Sequence, residues 1–366
     1  MTSTIIFDIS GHGYGHLAQI APLVRLVIER KGVRDVIVRS PHDAERAERI
    51  IGVPGLRTVP PPPDPGLVMH GPLRVDVEAT LRKYGELHEA LPQVIENEAR
   101  RLERLGAALL ISDVGHVGPA AAARARIPSF ALSSLHWEEI LAACLPDTPE
   151  VRRIRDGIVG AYDEARAFLL AAPRQSVPRL ARVVPIGPMV RGRGRSMREF
   201  IRRQLGVRAG TRLCYVTFGG IGGTQPYPRL PGNEEWAWIF AGRMPHVLHA
   251  GRMFPAEKLA GLDALDLIAS CDLVLTKTGY GTFMECVAHG TPCAFLSRPD
   301  WPEAADLEEW LTASGIGKPV TASMLADGSW LEAARSLRRA RPRPEIFTGA
   351  LDALAVISRE CDSLTS

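Results

Sequence analysis

Apolar and polar residues alternate along the chain in two patterns that take turns. Short, mainly apolar runs, at Thr4–Ile9, Val36–Arg39, Ala108–Ser112 and Ser129–Ser133, predict buried strands, as in parallel sheets. Between them lie runs with helical spacing. His16–Arg30 puts Leu17, Ile20, Leu23, Val24 and Val27 on one face, and Asp43–Ile51, Asp76–Leu105, Val117–Arg126 and Glu150–Ala167 continue the series. Pro92 predicts a kink or a break in the Asp76–Leu105 helix. Phe168–Ala171 and Arg182–Pro185 predict two more strands. The proline run Pro60–Pro63, continuing to Gly66, predicts an extended stretch with no regular structure.

The alternation pauses at Ile186–Pro188 and Arg191–Arg195, where glycine and arginine leave nothing to bury and a solvated linker is predicted. It then resumes. Met197–Gln204, Thr282–His289 and Glu303–Leu311 predict helices, and Leu213–Phe218, His246–Ala250, Leu273–Leu275 and Pro292–Leu296 predict strands. The tail Glu345–Cys361 predicts a last amphipathic helix. Strand, turn and helix repeated in this order predict an α/β protein with parallel sheets in two domains.

Composition narrows this picture by exclusion. With 46% apolar and 23% charged residues the chain has enough apolar side chains to fold, and no 18-residue window is apolar throughout, so a membrane span is not predicted. The first residues lack the basic flank of a secretory leader and predict a strand instead. Six scattered cysteines without a C-x-x-C pair argue against zinc and a disulfide framework, and a cytoplasmic protein is expected. Forty-four basic against 41 acidic residues give a net charge of +3, too small a bias to predict a nucleic-acid partner. Only five of the basic residues are lysines, which singles out Lys277 in a Gly/Thr-rich turn.

The chemistry concentrates at two turns. The first, Gly11-His12-Gly13-Tyr14-Gly15-His16, follows a strand and opens a helix. It nearly matches the dinucleotide fingerprint, but His16 stands where the last glycine is required and Arg39-Ser40-Pro41 offers no ribose-binding acid, so a nicotinamide cofactor is not expected. No P-loop pattern occurs. A histidine at the carboxyl edge of a parallel sheet has the pKa of a general base, and Asp113, at the end of a neighbouring strand, could orient it. Each residue also fits a plain helix-capping role. His116 is a weaker candidate for packing or substrate contact.

The second turn, Lys277-Thr278-Gly279-Tyr280-Gly281-Thr282-Phe283-Met284-Glu285, again joins a strand to a helix. Backbone N–H groups at a helix start form an anion site, to which Lys277 and Thr282 add donors, while Glu285 is spaced to accept from ribose hydroxyls. Gly219 and Gly220, in the Gly219–Gly223 loop, would let the backbone approach the same phosphates. An ordinary capped turn remains the alternative. No D-x-D pattern occurs, so no metal is expected.

Gly15-His16 opening one helix and Gly-x-Gly-Thr-x-x-Glu in the second half make the chain similar to GT-B glycosyltransferases of the MurG and UDP-glycosyltransferase type. Within that class, residues 10–24, 109–140 and 266–311 resemble the glycosyltransferase-like N-terminal region of plant L-arabinokinases and its stand-alone bacterial relatives. The resemblance implies two Rossmann-like domains facing a central cleft. Residues 1–190 would take the acceptor, residues 191–344 would bind a nucleotide-sugar donor, and the helix at 345–362 would pack back on the first domain.

It further implies that His16 is the base and Asp113 its orienting partner. Lys277, Thr278, Gly279, Gly281, Thr282 and Glu285, with Gly219 and Gly220, would bind the donor, most simply a UDP-sugar. Gly13, Tyr14, Gly15, His116, His136 and Trp137 would line the acceptor side, near Pro60–Gly71. In place of the family's sugar-contacting Asp-Gln pair the chain reads Arg298-Pro299-Asp300-Trp301-Pro302-Glu303, so Asp300 and Glu303 are the candidate substitutes. The expected reaction is an inverting, metal-independent sugar transfer without a cofactor. The competing expectations are a nucleotide-sugar-binding regulatory module and a UDP-sugar epimerase or phosphorylase. The arginines of 191–195 make contact with an anionic membrane surface a further expectation.

Overall fold

A computed structural model describes residues 3–70, 74–219, 228–231, 234–242 and 252–361. The chain divides into two compact units. The first comprises Met1–Arg191, Asp300–Glu303 and Ile346–Ser366, and the second Gly192–Pro299 and Ala304–Glu345. Asp300–Glu303, which the sequence reading put in the donor half, cluster with the first unit.

In chain order the first unit contains β1 (Ser3–Ile9), α1 (Gly15–Ile28), β2 (Val33–Arg39), α2 (Ala44–Ile51), β3 (Arg57–Val59), β4 (Met69–His70), β5 (Arg74–Val75) and α3 (Val77–Arg104). It continues through β6 (Ala107–Asp113), α4 (Val117–Arg124), β7 (Ser129–Ser133), α5 (Trp137–Cys144), α6 (Pro149–Asp163), β8 (Phe168–Ala171) and β9 (Val183–Ile186). Seven strands form one sheet in the order β3-β2-β1-β6-β7-β8-β9, and every pairing in it is parallel. The remaining pair, β4 and β5, is a small antiparallel hairpin that the sequence pattern does not predict.

Burial explains the mainly apolar strands, since Ile5, Ile6, Phe7, Leu109, Leu110 and Ile111 are all inaccessible to solvent. Of the kink or break expected at Pro92, the break does not occur: helix α3 continues through it. Pro92 lies on the exposed side of the helix, where water can take the carbonyl that loses its partner. Asp76 caps the start of α3, accepting from the Ala79 N–H at 2.9 Å.

Beneath the sheet edge lies a buried charge cluster. Arg39, at the end of β2, donates Nε and Nη2 to the two oxygens of Asp8 on β1 at 2.5 and 2.6 Å, and Nη1 to Glu98 of α3 at 2.6 Å. A Cβ on Gly118 would come within 2.4 Å of Asp8 Oδ2, so α4 can lie this close only because that residue is glycine.

The second unit contains α7 (Arg198–Leu205), β10 (Arg212–Val216), β11 (Trp236–Phe240), β12 (Met253–Pro255), α8 (Ala264–Ser270), β13 (Leu273–Lys277), α9 (Tyr280–His289), β14 (Cys293–Leu296), α10 (Ala304–Ala313), β15 (Gly317–Val320), α11 (Ala322–Asp327) and α12 (Trp330–Ala334). Its six strands run β12-β11-β10-β13-β14-β15, all parallel. Trp236, Trp238, Phe240 and Trp330 fill its core. The strand predicted at His246–Ala250 lies outside the described residues, and β11 is the strand that pairs with β10 on that side.

The stretch Arg191–Arg195 carries the division between the units, and Arg193 and Arg195 are exposed as a solvated linker requires, but its backbone is held in place. Arg191 is buried, and its carbonyl accepts from Arg25. In the second unit the Gly194 N–H donates to His289 Nε2 at 2.8 Å and the Arg195 N–H to Asp266 Oδ1 at 2.7 Å. A Cβ on Gly194 would stand 2.2 Å from the Leu265 carbonyl, so its glycine serves close packing. The last helix, α13 (Gly349–Glu360), belongs to the first unit and packs on α1 and β9. Gly187 and Gly349 meet there, a Cβ on Gly349 falling 2.2 Å from the Gly187 carbonyl oxygen.

Candidate active site

In a doubly wound sheet, ligands gather beyond the carboxyl ends of the strands where the strand order reverses. In the first unit that point lies between β1 and β6, which pair Ile9 with Asp113. The turn leaving β1 needs glycine at Gly13, where φ is +83°. His16 is then the second residue of α1, and its Nδ1 stands 3.0 Å from Asp113 Oδ1. The imidazole is 9% exposed and the carboxylate fully buried.

Burial works against the imidazolium, yet the carboxylate of Asp113, helped by Asp64 and Glu303, outweighs it and leaves the His16 pKa raised. Burial also raises the Asp113 carboxyl, which His16 only partly offsets. With Nδ1 turned to Asp113, Nε2 is the nitrogen left to take a proton.

The backbone next to this pair is strained. Val114 has φ of +60°, a β-branched residue in the left-handed region, which costs about 1–3 kcal/mol. Its carbonyl is held by the Tyr162 hydroxyl at 2.6 Å, and Ser112 Oγ donates to the Gly115 carbonyl at 2.6 Å. The turn that ends β6 is thereby fixed in one conformation.

Other first-unit candidates fall into place unevenly. Trp137 is buried at the start of α5, its ring 6.4 Å from that of His16. His116 and His136 are buried, and desolvation lowers each to about 4, so both are neutral near pH 7. His136 packs edge-on to Tyr162 and Phe168, a core environment. Tyr14 is engaged with Arg46, which lies 4.8 Å above its ring and also donates to its hydroxyl. Gly15 has open space where a side chain would be. Glu303 accepts from Ser134 Oγ at 2.5 Å within this unit, and Asp300 is exposed.

Sequence reasoning misses Asp64, which sits in the proline-rich stretch with both carboxylate oxygens buried. Burial raises its pKa, and His16 is among the charges that pull it back. The signal was a single acid flanked by prolines.

In the second unit the strand order reverses between β10 and β13. Gly219 follows β10 with φ of +84°, and a Cβ there would lie 3.8 Å from Lys277 Nζ, so the loop and the lysine adjoin. Gly220 lies outside the described residues. Helix α9 starts at Tyr280 with Gly279 as its cap, two residues before the predicted start at Thr282. Its first turn carries no acid and no side chain caps it, so the positive end of its dipole is not offset by a charge of its own helix.

Glu285 lies one turn further, on the face of Gly281. Thr278 is corrected: it is fully buried, and its hydroxyl donates to Glu308 at 2.5 Å, so it braces the turn. Glu308 also accepts from Ser297 Oγ and the Arg298 N–H.

Among the described residues, His136, Glu138 and Glu139 hold their ligand atoms within 4.8 Å of one another. Arg155 and Arg179 both donate to Glu138 Oε1, at 2.6 and 2.8 Å, which makes this a buried ion-pair cluster and a poor seat for a cation. The six cysteines are free thiols. Among the described residues no helix is long and apolar enough to cross a membrane.

No family model matches the chain. Over 341 residues it is 28% identical to an L-arabinokinase of Arabidopsis thaliana, covering 91% of this chain and 32% of that protein, so it spans about a third of the relative's length. Among solved structures, the glycosyltransferase of kitacinnamycin superposes with a TM-score of 0.63 at 16% identity, over 98% of this chain and 99% of that one. A Polygonum tinctorium UDP-glucosyltransferase that glucosylates indoxyl gives 0.60 at 14%, over 100% and 97%. A UDP-N-acetylglucosamine 2-epimerase described as putative, from Listeria monocytogenes, gives 0.59 at 12%, over 98% and 96%. Two parallel doubly wound units and these superpositions identify the architecture of the chain as the GT-B glycosyltransferase fold.

Proposed function

We propose that the chain transfers a sugar from a nucleotide diphosphate sugar, UDP-linked, to an acceptor hydroxyl, with inversion and without a metal. The observation that carries this reading is the buried His16–Asp113 pair at 3.0 Å on the reversal point of the first sheet. His16 Nε2 takes the acceptor proton as the acceptor oxygen bonds to the anomeric carbon and the bond from that carbon to the diphosphate oxygen breaks. Asp113 holds the tautomer and balances the imidazolium that forms. Negative charge arriving on the diphosphate is met by Lys277 and by the N-terminal end of α9.

A second reading, UDP-sugar epimerisation, draws on the epimerase among the superposed structures. The test is release of UDP from UDP-glucose and UDP-N-acetylglucosamine in the presence of a chelator, with and without added acceptor alcohols. Acceptor-dependent release supports transfer. A change of the sugar without any acceptor would replace it with epimerisation.

Lys277→Ala is expected to weaken UDP binding about 10- to 100-fold, the effect of losing a charge-assisted bond, as read by calorimetry. Thr278→Val should leave UDP affinity near wild type and cost about 1–2 kcal/mol of stability in denaturant unfolding, since it loses the hydroxyl's contacts with Glu308 and the Leu296 carbonyl.

A further inference from the structure

At the carboxyl edge of the second sheet a single carboxylate ties two turns to one helix. Strands β13 and β14 are neighbours and pair Lys277 with Leu296. The residues that follow, Thr278 after one strand and Ser297 and Arg298 after the other, therefore leave the sheet side by side. Glu308 reaches both turns from α10. Its Oε1 accepts from Thr278 Oγ1 at 2.5 Å and from the Arg298 N–H at 3.2 Å, and its Oε2 accepts from Ser297 Oγ at 2.8 Å.

The position calls for an anion with two oxygens. The N–H can only donate, and both hydroxyls donate as well, so one side chain must accept three bonds at once. Bonds to an ionised acceptor are also about twice as strong as neutral ones. The two turns support each other. The Thr278 N–H donates to the Leu296 carbonyl at 3.0 Å, so the turn after β13 stays tied to β14 when its own hydroxyl is lost. Loss of Glu308 releases both turns from α10 together.

Thr278 stands between Lys277 and Gly279, the cap of α9. Its bond to Glu308 therefore fixes the backbone that carries the lysine and the backbone that starts the helix. Misplacing such groups by about 1 Å can cost about 10²-fold. Resting on the donor-site reading above, we infer that Glu308 is a positioning residue for the diphosphate. It acts through Thr278, Ser297 and Arg298, and it sets Lys277 and the start of α9 at the spacing that meets the phosphates.

The experiment measures the affinity of the full chain for UDP by calorimetry and for uridine by ligand-observed NMR. Glu308→Ala should weaken UDP about 10-fold or more, and Glu308→Gln, which keeps one acceptor oxygen, should weaken it less. Uridine carries no phosphate and should bind both variants as it binds wild type, which also reports that they fold. The double variant Thr278→Val with Ser297→Ala keeps the Glu308 charge and its bond to Arg298. It should weaken UDP by more than the product of the two single changes, since each hydroxyl supports the other's turn. Should Glu308→Ala fail to fold, Glu308→Gln and the double variant decide the same question. UDP affinity equal to wild type in these variants would overturn the inference. So would UDP and uridine weakened by the same factor, the mark of general damage. A wild-type chain that binds UDP no better than uridine would remove the donor-site reading itself, and the inference with it.

Discussion

Replacing His16 with alanine is expected to lower kcat/KM for acceptor-dependent UDP release by about 10²- to 10⁴-fold, the range a positioned general base contributes. UDP affinity should stay unchanged, because His16 lies in the first unit while Lys277 and the start of α9, proposed to hold the diphosphate, lie in the second. The pH profile gives a sharper reading. The base must be neutral, and the His16 pKa is raised, so activity should rise with pH along a limb centred above 6.5. Asp113→Asn removes the largest cause of that rise and leaves burial to act on the imidazole alone. The limb should therefore move to lower pH while the plateau rate falls. A limb that stays in place in Asp113→Asn would show that the carboxylate does not act on the base.

The largest effect on stability is expected at Arg39. Replacing it with methionine keeps the volume and leaves Asp8 and Glu98 buried without their cation, which should cost about 3–5 kcal/mol. Urea unfolding at neutral pH would measure it. Burial already holds the Asp8 carboxyl above its ordinary value with Arg39 in place. A carboxyl whose folded pKa is raised destabilises the fold when ionised, and that penalty lifts as the pH falls through its folded pKa. The deficit of Arg39→Met should therefore shrink between pH 7 and pH 4. A deficit that is constant or grows with acid would mean that the cluster is not an electrostatic unit. The predicted sign is independent of any reading of function.

How far the sequence carried the fold can be seen element by element. The strands β1, β6 and β7 are mainly apolar because they are buried on both faces, so their apolar cores mark them in the sequence. Helix α5 is harder: its apolar residues Trp137, Ile140 and Leu141 span only two turns, too short for a period to stand out. β11, Trp-Ala-Trp-Ile-Phe, is a strand on every count, but the neighbouring residues 246–250 compete with it as a pattern.

At the site, His16 and Asp113 were legible because each ends or follows a strand, where side chains reach the ligand edge. Thr278 was misread because its rotation about the turn decides whether it faces substrate or Glu308, and no local pattern encodes that rotation. Asp64 was hidden for a different reason. Its burial is imposed by residues distant in sequence, Ser10, Tyr84 and Trp137, and a proline-rich loop has no periodicity from which to infer what covers it.

The packing of α13 on α1 and β9 has a consequence for the order of assembly during synthesis. The first unit includes β1 near the start of the chain and gains α13 only when Gly349–Glu360 arrives, after the whole second unit has been made. At about 5–20 residues per second, the interval from Gly187 to Gly349 is roughly 10–30 seconds, through which one face of α1 stays bare. The unit translated first is thus the last to close, and the second unit can finish folding while the first still waits for α13.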